Sequence, residues 1–177
     1  MPKFILKITD ESPSNYINEK NVECFVFSAA LSENYLQAQV EQAKAAGKII
    51  LFEGEGAAPL AVKLAADGIV ADLSASTAIK KDMAALRREL GGLFLGVVCR
   101  CRRHEAMVVS ENEPDFIIFR IWGDGADKTR ELIEWYTEFF LLQMAVEPMD
   151  KSADFCSYPA DMVILSPEDY KILVAKK

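Results

Sequence analysis

The chain has 177 residues, of which 51% are hydrophobic, and this is enough for one substantial core in about one domain. Its formal net charge of -7 argues against a general nucleic-acid binder, because neutralising phosphates requires a basic face. No apolar run is long enough to span a membrane, and the start, MPKFILKITDESPSN, lacks the apolar core of a secretory signal.

The four cysteines, at positions 24, 99, 101 and 156, are too scattered for the disulfide framework of a small secreted domain. We therefore expect a reduced, cytoplasmic protein that has no membrane or nucleic-acid partner.

Eight short apolar runs recur along the chain, and most are nearly continuous rather than alternating with polar residues. Such runs are typical of strands that are covered on both faces, as in parallel sheets. The runs are FILKI (4–8), CFVFSA (24–29), IILFE (49–53), GIVADL (68–73), LFLGVVC (93–99), FIIFRI (116–121), LLQMAV (141–146) and MVILS (162–166).

Helical patterns separate several of these runs. The first begins at Ser32, a good N-cap residue, and stops at Gly47. Two further long patterns cover residues 76–92 and 125–139, and shorter ones cover 58–66 and 102–114. Residues 9–21 are too polar and proline-interrupted for a good helix, and residues 147–161 allow only a stub.

Alternating strands and helices predict parallel pairing through right-handed crossovers. Eight strands favour a closed (β/α)8 TIM-type barrel over residues 1–177, compact and with some shortened or missing helices; a doubly wound open sheet is the alternative. The residues expected in core-building strands are Leu51, Val70, Val97, Ile118, Met144 and Ile164.

Three turns give the chain a resemblance to a known family. They are Ala66-Asp67-Gly68, Pro114-Asp115-Phe116 and the segment PADMVILS at 159–166. In this order they resemble the thiamine phosphate synthase and thiazole tautomerase superfamily, whose fold is a (β/α)8 barrel. The resemblance implies a phosphate-handling site and a place in thiamine biosynthesis.

The residues that carry the family's chemistry are missing, however. The second strand reads FVFSAA at 25–30 where the family has a Gln-x-Arg-x-Lys set that grips a pyrophosphate. Glu147-Pro148 replaces a Gly-Gly turn whose backbone amides cradle phosphate, adding a negative charge and removing an amide donor. From these departures we expect a diverged member of the family that has lost synthase activity. With respect to that reaction it would be a pseudoenzyme.

Barrel enzymes act at the carboxyl ends of their strands, so the residues at or near the end of each run indicate the site. These residues are Asp10, Ser28, Glu53, Asp72, Arg100, Arg120, Glu147 and Ser166. Arg100 and Arg120 end consecutive strands, and we predict that they clamp one anion, because a guanidinium pairs bidentately with phosphate or carboxylate. The alternative is that they pair with Glu53, Asp72 or Glu147 and only close the rim.

Glu53 and Asp72 end neighbouring strands, and together they could hold a Mg²⁺ that bridges to a phosphate, although only two such oxygen donors are evident. The ligand-binding set predicted from the sequence is therefore Arg100, Arg120, Asp72, Glu53 and Ser166. No catalytic residue is assigned.

The segment GVVCRCRRHEAM (96–107) contains the only histidine and two of the cysteines. Cys99, Cys101 and His104 are three ligands without a fourth, so a wall between strand and helix is favoured over a zinc site. The arginines beside Cys101 could lower its thiol pKa and make it reactive. Trp122 could stack on a ligand ring or pack under the following loop, and Trp135 could form an oligomer contact if exposed.

The sequence is compatible with three functions. The first is a diverged barrel that binds a small phosphate- or carboxylate-bearing ligand, either as a transferase, isomerase or lyase or without catalysis. The second is a scaffold or interaction protein with a filled barrel mouth. The third is a thiamine-pathway enzyme with a rebuilt site.

Overall fold

A computed structural model describes residues 2–11, 16–123, 126–150 and 158–175. Eight parallel strands pair in chain order and close between the last and the first, which confirms the (β/α)8 TIM-type fold and excludes the open sheet. The strands are β1 Lys3–Ile8, β2 Val22–Ser28, β3 Ile49–Glu53, β4 Gly68–Asp72, β5 Phe94–Cys99, β6 Phe116–Ile121, β7 Gln143–Pro148 and β8 Met162–Leu165.

Six α-helices of the described residues cover the outside of the barrel. They are α1 Glu33–Ala46, α2 Ala57–Leu64, α3 Ile79–Leu90, α4 Arg103–Glu111, α5 Ala126–Phe139 and α6 Pro167–Ala175. Between β1 and β2 the described residues form only a short 3-10 turn, Tyr16–Asn18, where no good helix was predicted. The segment 147–161, where only a stub was predicted, lies partly outside the described residues. None of these helices is both long and apolar enough to cross a membrane.

Helix α1 shows how local signals set the boundaries. It ends at Gly47, whose positive φ of 67° is a conformation that glycine adopts without strain. Ser32 occupies the N-cap position but makes no side-chain capping bond; its backbone N–H instead donates to Glu11 Oε1 at 2.8 Å. Helix α3 begins at Ile79, later than predicted, because Ser76 is engaged in the preceding turn with Asp82 and Ala78.

Two apolar layers build the core, as expected for strands covered on both faces. Leu51, Val70, Ile118 and Ile164 point into the barrel and pack with one another. Val97 and Met144 lie on the outer face of their strands, against the helices. All six residues expected in core-building strands are therefore in strands and buried.

The three turns that carry the family resemblance share one structural role. Asp67, Asp115 and Asp161 each lie just before a strand. A carboxylate oxygen of each accepts a hydrogen bond from a backbone N–H near the start of the preceding strand in the chain. The donors are Ile50, Leu95 and Met144, at 2.8, 2.7 and 2.9 Å. These bonds join strands at the amino-terminal face of the barrel, which lies opposite the face where barrel enzymes carry out their chemistry.

Gly68 provides a sharp test of this packing. A Cβ atom at this position would lie 2.1 Å from the backbone oxygen of Phe94 on the neighbouring strand. We expect Gly68→Ala to lower the free energy of unfolding by about 2–3 kcal/mol, because a backbone atom cannot move aside. Urea unfolding measures this.

Gly92→Ala is the matched control, since nothing lies within 4 Å of a Cβ built there, and its effect should stay within about 0.5 kcal/mol. Equal stability of the two variants would contradict the strand packing described.

Candidate functional site

The inward-facing residues at the carboxyl ends of the strands form a single ring. Each lies two positions after a residue of the inner apolar layer, because side chains alternate along a strand. The ring is Lys7, Ser28, Glu53, Asp72, Arg100, Arg120, Glu147 and Ser166. Seven of the eight were identified from the sequence, but the β1 member is Lys7 rather than Asp10, which lies beyond the end of β1.

Arg120 is the centre of this ring. Its Nε donates to Glu147 Oε2 at 2.9 Å, one Nη donates to Glu53 Oε1 at 2.7 Å, and the other donates to Asp72. Burial alone would lower the pKa of Arg120, but the hydrogen bond and charge of Glu147, with the charges of Asp72 and Glu53, raise it. The guanidinium is therefore a permanent cation held by three carboxylates.

Lys7 joins the same network from β1. Its Nζ lies 2.7 Å from Glu53 Oε2 and 2.7 Å from Glu147 Oε1. Glu147 is the one charged residue that is buried among those described, with 8% of its side chain exposed. Three carboxylates against two cations leave this network with one negative charge in excess.

Asp72 is the outermost acid of the network, with 42% of its side chain exposed. Burial raises the pKa of its carboxyl, but hydrogen bonds from the hydroxyl and amide of Ser74, together with the charge of Arg120, outweigh this effect and lower it. Asp72 is accordingly an ionised partner of Arg120 and a poor proton acceptor at neutral pH.

Two of the predicted site residues stand apart from the network. Ser166 accepts a hydrogen bond from the Asp169 amide and donates to the Asp169 carboxylate, so it caps α6. Arg100 is exposed, and its guanidinium has no hydrogen-bond or ion-pair partner among the described residues. For Arg120 the structure shows the second of the two predicted arrangements, in which the arginine pairs with Glu53, Asp72 and Glu147.

Glu53 and Asp72, the two suggested Mg²⁺ ligands, both accept from Arg120, so a guanidinium lies between them. In the described part of the chain, no group of three or more His, Cys, Asp or Glu side chains is arranged to hold a metal ion.

Three cavities lined by described residues open at this face, and they differ in charge. One of about 420 Å³ is lined by Lys7 with Asp10, Glu147, Glu168 and Asp169. Another of about 670 Å³ is lined by Lys7 with Glu53, Glu55, Asp72 and Glu89. Carboxylates outnumber cations in both, so both carry a negative potential.

The third cavity, of about 440 Å³, lies beside β5 and β6. We call it the Arg100 cavity; it is lined by Ser74, Val98, Cys99, Arg100, Cys101, Arg102, Arg120, Trp122 and Met149. No carboxylate is among its lining residues in the described part of the chain. It is therefore the basic cavity of the three.

The thiols at this cavity are not activated. Burial raises the pKa of Cys99 to about 12 and that of Cys101 to about 11. The suggestion that neighbouring arginines make Cys101 reactive is therefore wrong, because desolvation of the thiolate outweighs them. His104 is exposed at the start of α4, and Cys156 lies outside the described residues.

Trp135 is half-buried against Arg103, Phe139 and Phe140.

Comparison with known proteins supports the fold. No protein-family model matches the chain, and no curated protein matches it. Among solved structures it is similar to 3-hexulose-6-phosphate synthase from Salmonella typhimurium, with 17% identity, a TM-score of 0.62 and coverage of 93% of this chain and 88% of the other.

A truncated 3-deoxy-D-arabino-heptulosonate 7-phosphate synthase from Thermotoga maritima is also similar, with 14% identity, a TM-score of 0.59 and coverage of 93% and 74%. A mutant tryptophan synthase α-subunit from Pyrococcus furiosus has 12% identity, a TM-score of 0.62 and coverage of 98% and 91%. Identities this low establish the barrel fold alone.

The resemblance to thiamine phosphate synthase is wrong. Five similar solved structures are a phosphonomutase, a citrate synthase variant, the two phosphate synthases above and the tryptophan synthase α-subunit, and none of these five is a thiamine phosphate synthase. The physical reason lies in the three aspartate turns, which join adjacent strands at the amino-terminal face and serve the barrel fold rather than one family's chemistry.

The ion-pair network should be costly to break. We expect Glu147→Gln to lower the free energy of unfolding by about 3 kcal/mol, because it leaves Arg120 and Lys7 with one counter-charge fewer at a mostly buried site. Glu33→Gln is the matched control: it breaks a surface pair with Lys63 and should cost about 0.2–1 kcal/mol. Equal losses in chemical denaturation would contradict a structural role for the network.

The thiols should react slowly near neutral pH. With a pKa of about 11, only about one Cys101 side chain in a thousand is a thiolate at pH 8. Iodoacetamide labelling of the native protein, read by mass spectrometry, should therefore be slow and rise steadily toward pH 10. Labelling of Cys101 as fast as that of a small-molecule thiol at pH 7.5 would show that the thiol is activated.

Proposed function

We propose that this protein binds a small anionic molecule, bearing a phosphate or carboxylate group, in the Arg100 cavity. The observation that carries the proposal is the exposed guanidinium of Arg100, which has no partner among the described residues and lines a cavity without described carboxylates. A cationic side chain left unpaired in a concave site is poised for a charged hydrogen bond to a ligand.

The charges of the mouth direct an anion to this cavity. In the two acidic cavities the one lysine, Lys7, is already paired with Glu53 and Glu147, and the surrounding carboxylates would repel an anion. In the Arg100 cavity, Arg102 adds a second exposed cation. Arg120 lines the cavity too, but three acids compensate its charge. Of the two arginines predicted to clamp an anion, Arg100 therefore contributes most of the electrostatic attraction.

The structural neighbours give this proposal modest support. The names of two of them contain a phosphorylated sugar or sugar acid, and barrel enzymes bind their ligands at the same carboxyl-terminal face. A bound anion is compatible with a transferase, isomerase or lyase acting on a phosphorylated small molecule, or with binding alone.

A second candidate is a scaffold whose barrel mouth is filled. It is favoured by the network of Arg120, Lys7 and their three carboxylates, which occupies the centre of the ring with ion pairs. A scaffold would need no ligand at Arg100, so one titration separates the two candidates.

The test is a titration with inorganic phosphate, followed by NMR of backbone amides around β5 and β6. Arg100→Gln should weaken binding by roughly 10- to 100-fold, corresponding to about 1.5–3 kcal/mol for lost charged hydrogen bonds. Binding should also weaken with added salt, since the cavity is exposed.

Arg88→Gln is the matched control, because Arg88 is exposed in the last turn of α3 and lines none of the three cavities. It should leave the titration unchanged. Identical phosphate affinity in Arg100→Gln and the unmodified protein would contradict the proposal, and the absence of any phosphate binding would favour the scaffold.

A further inference from the structure

We propose that the ligand of the Arg100 cavity is an aromatic anion, in which a flat ring carrying a phosphate or carboxylate group lies against Trp122. This inference rests on the proposed anion-binding function and adds the class of molecule that carries the anionic group.

The cavity exposes apolar surface that a ligand could cover. Trp122 has 47% of its surface exposed and Met149 has 41%, and both line the same cavity as Arg100. Val98 and the two thiols complete its uncharged surface. A ring placed there would remove apolar area from water on both partners, and stacking on an indole adds a directional contribution.

The strand register brings the two kinds of contact within reach of one small molecule. Cys99 at the end of β5 pairs with Phe119 on β6, so Arg100 is level with Arg120. Trp122 follows one residue beyond the end of β6 and so lies farther out at the mouth. Because adjacent strands are about 4.8 Å apart, a group on Arg100 and a ring on Trp122 can belong to a single small ligand.

The polar groups of the cavity argue against a sugar phosphate. Among its described lining residues, Ser74 carries the one hydroxyl, and that hydroxyl already donates to Asp72. The other strongly polar side chains are the arginines. The hydroxyls of a bound sugar would exchange water for few partners here, and unpaired polar groups are costly to desolvate. An aromatic ring has no such requirement.

The experiment compares two pairs of probes, phenyl phosphate with inorganic phosphate and benzoate with acetate, in calorimetric or NMR titrations. We expect the aromatic member of each pair to bind on the order of tenfold more tightly, a gain typical of stacking on an aromatic side chain. The indole N–H signal of Trp122, assigned with Trp122→Phe, should shift on adding phenyl phosphate.

In Trp122→Ala the affinity ratio within each pair should fall to near one, and in Trp122→Phe much of it should remain. Phe139→Ala removes another exposed ring, at the end of α5 and outside the cavity lining, and should leave the ratio unchanged.

The outcomes separate this inference from the proposed function. Equal binding of phenyl phosphate and inorganic phosphate, with both weakened by Arg100→Gln, would overturn the aromatic class and leave anion binding intact. A preference for the aromatic probes that persists in Trp122→Ala would also overturn the aromatic class. Failure of every probe to show Arg100-dependent binding would overturn both proposals.

Discussion

The guanidinium of Arg120 determines the character of the barrel mouth. Glu53, Asp72 and Glu147 reach the centre of the ring from three strands, and without a cation among them their charges would repel one another in a partly desolvated site. A planar guanidinium has donors pointing in several directions within one plane, so it can engage all three acids at once. Lys7 then closes the gap between Glu53 and Glu147 from the side of β1.

This arrangement determines where an anion can approach the mouth. Because both central cations are already paired, an incoming anion meets excess negative charge in the two acidic cavities. Arg100, which has no partner among the described residues, lies at the edge of the mouth beside β5. Among the cavities lined by described residues, the Arg100 cavity is therefore the one that we propose for an anion, rather than a site at the centre of the ring. The same cavity contains the exposed Trp122, which is why the proposed ligand is both charged and aromatic.

Sequence patterns predicted the fold well because buried parallel strands have a simple signature. Continuous apolar runs marked all eight strands, and Gly47 marked the end of α1. The strand ends predict the ring, except at β1, where the polar residues after Ile8 place the strand end at Asp10 instead of Lys7. Counting two positions from the inward-facing Ile5 gives Lys7 instead, and that alternation was the signal available in the sequence.

Other features of the site could not be read from the chain. Which acids Arg120 contacts depends on distances across the barrel, since Glu53 and Asp72 come from strands that do not pair with β6. The high pKa of the Cys101 thiol arises from burial by distant segments, whereas the sequence displays only the neighbouring arginines. The aspartate turns misled the family assignment because the same turn serves three strand pairs of this one barrel.

The most direct test of this account is a crystal of the protein soaked in selenate, an anion that anomalous diffraction can locate. We expect a selenate in the cavity beside Arg100 and Trp122, with Arg120 still bound to Glu53, Asp72 and Glu147. A selenate at the centre of the ring, with Arg120 released from its carboxylates, would contradict it.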